Sequence, residues 1–122
     1  MNALSVTFDN LGEAAELQLG ADPPDGEHDS VTRSLPLVLE ALERHGVHAT
    51  FFCEGLNAER YPDALREIAS RGHEVAYHAW CHEQWGELGP DQEEENLRRG
   101  AEAFRDLDLD LRGFRPPGGE VS

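Results

Sequence analysis

Apolar residues recur at two periods along the chain, and each change of period marks an element. In "ALSVTF", Leu4, Val6 and Phe8 alternate with smaller or polar residues; the β-branched and aromatic content suits a strand ending at Asp9. Residues 10–29 are rich in Gly, Pro and Asp and read as a loop with room for one short helical turn. The period then lengthens. Leu35, Val38, Leu39 and Leu42 fall at i, i+3, i+4 and i+7, with His45 in the last turn and Gly46 placed to cap a helix over 30–46. "HATFFC" follows as a buried strand. Residues 59–72 are again helical, with Pro62 in the first turn, Tyr61, Leu65, Ile68 and Ala69 on one face, and Gly72 as the stop. "EVAYH" is the third strand. "GPDQEEENLRRGAEAFRDL" is a third long helix: Pro90 opens it, acidic residues fill its positive end, and Leu97, Ala101 and Phe104 share a face. "LRGFRPP" is a fourth strand, stopped by its prolines.

Alternation of strands and helices predicts an α/β fold with a parallel sheet covered by helices. Loops after the strands then open on one side, which is where such folds gather ligands. Those strand ends carry Asp9 and Asn10, then Glu54, then His78 followed by His82, and finally Arg115. Polar and titratable residues converge where a site is expected.

Composition narrows the function. At 122 residues the chain suits one domain with a core and is short for two. Ten basic against twenty-five acidic residues leave a formal charge of -15, which repels phosphate backbones and anionic lipid, so neither nucleic acid nor membrane is an expected partner. Cys53 and Cys81 lie in different segments and match no zinc-finger or redox spacing, so they suit a reducing compartment. The N-terminal "MNALSVTFDN" lacks basic and apolar leader regions, and the expected location is cytoplasmic.

The candidate chemistry begins with "RGHEVAYHAWCHEQW", which sets His78 and His82 four apart just after a strand. That spacing alone is weak evidence for a metal pair. Neutral imidazoles suit zinc and similar ions, and a helical turn between them would bring both rings to one side. Asp9 is either a loop carboxylate or cap, or a general base or ligand at a strand end. Arg115 is a surface cation or the fork that orients Asp9. Trp80 and Trp85 either wall a substrate pocket or cover the core beneath a loop. His73 is expected to face solvent at a helix end, while His45 and His48 flank a turn.

Four segments in order, "TFDN", "ATFFCEG", "RGHEVAYHAWCHE" and "GFRPPGG", together resemble the polysaccharide deacetylase (NodB-homology) family, and the likeness covers nearly the whole chain. The resemblance implies the front part of a distorted (β/α) barrel, as a single domain over 1–122. It also implies metal-dependent hydrolysis of carbon-nitrogen amide bonds, chiefly N-deacetylation of a polysaccharide or amino sugar. By that likeness Asp9 is the catalytic base and Arg115 orients it; His78, His82 and Asn10 are the metal positions, with zinc the expected ion. Trp80, Pro117 and Gly118 are the implied substrate contacts.

The departures from the pattern matter as much. Asn10 stands where most members have a metal-binding aspartate, and an amide brings no charge to a cation. Ala79 replaces a hydroxyl residue, and Gly118 stands where many sugar deacetylases have an aromatic. "HAWCHE" is closest in style to the peptidoglycan deacetylase-like and allantoinase-like subgroup, which makes a small cyclic amide or ureide the competing substrate. The family's later segments, including one that supplies a general acid, have no counterpart before Ser122. The sequence therefore reads as cut short at its C-terminus, a piece completed by more of its own chain, by self-association or by a second chain. A non-catalytic carbohydrate- or metal-binding remnant is the alternative function.

Overall fold

A computed structural model describes residues 2–121. Three strands, β1 (Thr7–Phe8), β2 (Thr50–Cys53) and β3 (Glu74–Tyr77), form a parallel sheet in that order. Thr7 lies opposite Thr50, Thr50 opposite Glu74 and Cys53 opposite Tyr77, so all three strands end on the same side. The helices are α1 (Ala14–Gln18), α2 (Leu35–Arg44), α3 (Leu56–Arg60), α4 (Pro62–Ser70) and α5 (Pro90–Asp106).

The apolar stripes do what their spacing predicts in α2 and α4. Leu35, Leu39 and Leu42 of α2 are buried, as are Leu65 and Ile68 of α4, and they close over Phe51 and Val75 of the sheet. Each fully buried side chain of this size contributes about 1.5–3 kcal/mol relative to exposure. Both helices stop as expected. At Gly46 (φ +63°) the Val47 amide donates to the Leu42 carbonyl and the Gly46 amide to that of Glu43; Gly72 (φ +90°) repeats the pattern on Ile68 and Ala69.

Other expectations need correction. The helix expected over 30–46 opens with a π-helical turn, Ser30–Ser34, and becomes regular only at Leu35, where Pro36 lacks the amide for a regular bond. Helix α3 precedes Pro62 as a separate element. The break falls on Tyr61, because the residue before a proline is driven out of the helical region. In α5 the buried face holds Gly100 and Phe104, while Leu97 is 40% exposed and Ala101 also faces solvent. Gly100 decides this, since a Cβ there would overlap the Tyr77 ring, whose hydroxyl donates to the Asn96 carbonyl.

The edges are thinner than the centre. β1 starts at Thr7 and not at Ala3, and Leu4 is 90% exposed with nothing to cover. The expected fourth strand is one parallel bridge, Tyr77 to Phe114, made as the Tyr77 amide donates to the Gly113 carbonyl and the Arg115 amide to that of Tyr77. Pro116 and Pro117 have no amide with which to continue it. His73 is buried rather than solvated: the turn at Gly72 feeds it directly beside β2, where its Nδ1 accepts from the Ala49 amide at 3.1 Å.

Candidate functional site

Each strand end delivers one piece of the site. After Phe8 come Asp9 and Asn10, after Cys53 comes Glu54, after Tyr77 comes His78, and Phe114 is followed by Arg115. Parallel register alone places these four ends beside one another.

His78 continues the β3 ladder, its amide donating to the Cys53 carbonyl at 2.9 Å. Its Nδ1 lies 2.6 Å from the Arg115 carbonyl, which can only accept, so Nδ1 carries the proton and Nε2 keeps its lone pair. Burial lowers the His78 pKa, outweighing that carbonyl bond, and the ring stays neutral near pH 7. His82 lies across from it with ring centroids 5.0 Å apart. A turn with Ala79 (φ +64°) and His82 (φ +56°) in left-handed conformations, rather than the expected helical turn, brings the rings together. Strained backbone of this kind collects at functional sites.

Glu54 completes the group. One ligand atom from each of Glu54, His78 and His82 lies within 4.8 Å of the other two. Glu54 is fully buried, and burial pushes its pKa up to about 8, with the Asp9 charge adding to the rise. Among the described residues, Glu54 Oε1 and His82 Nδ1 are buried without a hydrogen-bond partner. Two imidazoles, one carboxyl group and orphaned polar atoms fit a divalent cation, whose charge would reverse the cost of ionising Glu54.

Asp9 and Arg115 form the second half. Arg115 Nη1 donates to Asp9 Oδ1 at 2.8 Å and to Thr7 Oγ1 at 3.2 Å, and the guanidinium lies 4.1 Å from the centre of the Phe52 ring. One residue thus holds both halves, through its side chain to Asp9 and its carbonyl to His78. Asp9 and Asn10 line a cavity of about 160 Å³ with Ser30, Ser34 and the apolar side chains of Leu35 and Phe51. Asn10 is exposed in a left-handed conformation (φ +58°), which asparagine tolerates well.

The implied substrate contacts are scattered by comparison. Trp80 is 7% exposed, lies against Gly55 and carries the Arg99 guanidinium 3.7 Å above its ring. Trp80 both packs over Gly55 and lines a separate cleft with Glu83, Asp91 and Arg99. Trp85 covers the core, 4.8 Å from the Phe114 ring. Pro117 is buried and its carbonyl accepts from the Trp85 amide, while Gly118 is exposed at φ +85° near Gln84.

The sequence model of the family described as "Polysaccharide deacetylase" matches residues 2–122. The chain belongs to that family. A solved structure of a Mycobacterium smegmatis protein assigned to the polysaccharide deacetylases is 30% identical with a TM-score of 0.82; the match covers 97% of this chain and 44% of that one. A family 4 carbohydrate esterase from Streptomyces lividans, solved with acetate, is 30% identical with a TM-score of 0.72, over 98% of this chain and 53% of that one. A peptidoglycan-N-acetylglucosamine deacetylase from Bacillus cereus is 33% identical over 87 residues, 70% of this chain and 32% of its own length. The chain spans about a third to a half of the length of these relatives. Its parallel α/β fold is the front part of the family's barrel.

Sequence reasoning placed Glu54 at a strand end without giving it a role. The available signal was a carboxylate directly after "TFFC", which the alternation of β2 sets on the face of Phe52, where Arg115 packs, in a chain whose expected aspartate ligand is Asn10.

Proposed function

We propose that this chain carries the metal-binding and proton-transfer part of an amide hydrolase that removes acetyl groups from N-acetylated sugars. The peptidoglycan glucosamine named for its Bacillus cereus relative is the leading substrate class. The observation that carries this reading is the linkage from Asp9 through Arg115 to His78, which couples a base to a metal-competent imidazole.

A divalent ion, with zinc as the expected one, would be held by His78 and His82 and would polarise the acyl oxygen and acidify water. Arg115 engages Asp9 Oδ1, which leaves Oδ2 to take the proton of the attacking water. The water oxygen bonds to the acyl carbon, the carbon-nitrogen bond breaks and acetate leaves. The proton collected on Asp9 balances the one taken up by the departing amine nitrogen. Thr7 and the Phe52 ring keep the guanidinium in place, so the carboxylate is oriented before substrate arrives.

An apolar cleft beside β1, lined by Val6, Phe8, Val38, Ala41, Leu42 and Val47, is the face that further chain or a second copy would cover. The free thiols, Cys53 in the core and Cys81 half-buried, support a reducing compartment.

Acetate release from N-acetylated chito-oligosaccharides, with and without added zinc, tests the reading. Zinc-dependent release is the expected result. Opening of a cyclic ureide without acetate release would move the function to small amides. Zinc and sugar binding with no turnover would select the non-catalytic role, which the uncharged Asn10 favours.

A further inference from the structure

We propose that Glu54 is the charged ligand of this metal site, supplying the carboxylate that Asn10 does not; the inference rests on the metal-dependent reading above. Two histidines and an amide would leave a buried divalent cation with no anionic ligand, and a partly desolvated cation needs compensating charge. Glu54 offers one from the centre of the site. It is fully buried, its Oε1 has no hydrogen-bond partner among the described residues, and it lies within reach of both histidines. Asn10, in contrast, is exposed and lines the neighbouring cavity with Asp9.

The surroundings of Glu54 are those of a held ligand. Asn57 Nδ2 donates to Glu54 Oε2 at 3.3 Å and to the Leu11 carbonyl at 2.9 Å, which fixes one carboxylate oxygen and leaves the other directed elsewhere. The Gly55 amide donates to the Ala79 carbonyl and the Leu56 amide to that of Trp80, each at 2.9 Å, so the Glu54 loop is stitched to the turn that carries both histidines. Gly55 is what permits this approach, because a Cβ there would overlap the Trp80 ring. Trp80 thus acts as the spacer that sets how closely the two loops meet. A merely structural carboxyl would be expected to satisfy both oxygens, and Glu54 satisfies one.

Zinc chloride titrated calorimetrically into the purified chain tests the assignment, using wild type, Glu54→Gln, Asn10→Ala and His78→Ala. Wild type should bind one equivalent; Glu54→Gln should weaken binding by more than the roughly 10- to 100-fold typical of losing an outer partner, with Asn10→Ala nearly unchanged. Cobalt(II) supplies a second readout, since replacing a true ligand shifts its visible absorption bands whereas loss of an outer partner leaves them in place. Glu54→Asp, which keeps the charge, should restore binding in part and serves if the Gln variant fails to fold. Zinc binding that needs His78 but ignores both Glu54 variants, with unchanged cobalt bands, would overturn the role of Glu54 and leave the metal reading standing. No zinc binding by wild type would overturn both.

Discussion

The centre and the flanks of the sheet are built differently. Along the seam between β2 and β3 four residue pairs are in register, Phe51, Cys53, Val75, Ala76 and Tyr77 are buried, and the strands lead into Glu54 and His78. The flanks are a two-residue β1 and a single bridge at Phe114, and they deliver Asp9 and Arg115. The ligand half of the site is therefore preformed by the core. The proton-transfer half depends on one ion pair, with Asp9 about one-third and Arg115 about two-fifths exposed, reinforced by Thr7 and Phe52. Exposed ion pairs contribute little to stability, so this one matters for orientation more than for folding.

The largest separation of the two halves comes from Asp9→Asn. Acetate release should fall by about 100- to 10,000-fold while zinc affinity falls far less, because the proton acceptor is lost and Glu54, His78 and His82 stay in place. A parallel loss of zinc binding would show that the halves are not separable.

Next in size is the contrast in packing. Leu65→Ala beneath the centre should cost about 2–5 kcal/mol in urea unfolding, whereas Leu4→Ala at the exposed start of the chain should stay within about 0.5 kcal/mol. Equal effects would mean that the flank is as well packed as the centre. Leu65 is fully buried and Leu4 is 90% exposed.

At the opposite end of the same seam, His73 makes the centre sensitive to acid. Burial lowers its pKa below the ordinary 6.5, so the unfolded chain binds the extra proton first. The stability this contributes is complete above pH 6.5 and is lost as pH falls through the lowered folded value. The melting temperature of wild type should drop more steeply below pH 6.5 than that of His73→Gln. Matching slopes would assign the acid sensitivity to other groups.

The smallest effect is expected at Ala79→Gly. A left-handed alanine costs about 1–2 kcal/mol, and the extra freedom of glycine in the unfolded chain offsets about 0.5–1 kcal/mol. A gain near 0.5 kcal/mol in urea unfolding should remain, and a loss would show that the buried methyl outweighs the strain.

Periodic elements were legible because one apolar stripe and one glycine stop define them, as in α2 with Gly46 and α4 with Gly72. What escaped depends on contacts across the sequence. The face of α5 turned on Gly100 accepting the Tyr77 ring, which no helical period encodes. His73 was drawn inward by the Ala49 amide of a neighbouring strand. The strand-end positions of Asp9, His78 and Arg115 followed from parallel topology, and the motif order pointed to the family that the comparison establishes. Glu54 was read as an end residue and no more, since its relation to His82 arises from two separate loops meeting at Gly55.

Arg115 has a consequence for how this site can drift. Its side chain and its carbonyl point to different partners, and side chains alternate along an extended segment. A slip of one residue in 113–117 would present Phe114 or Pro116 to Asp9 and at the same step withdraw the acceptor that sets the His78 tautomer. The two functions share one position, so a slip of the backbone loses both, whereas replacing the Arg115 side chain loses only the hold on Asp9.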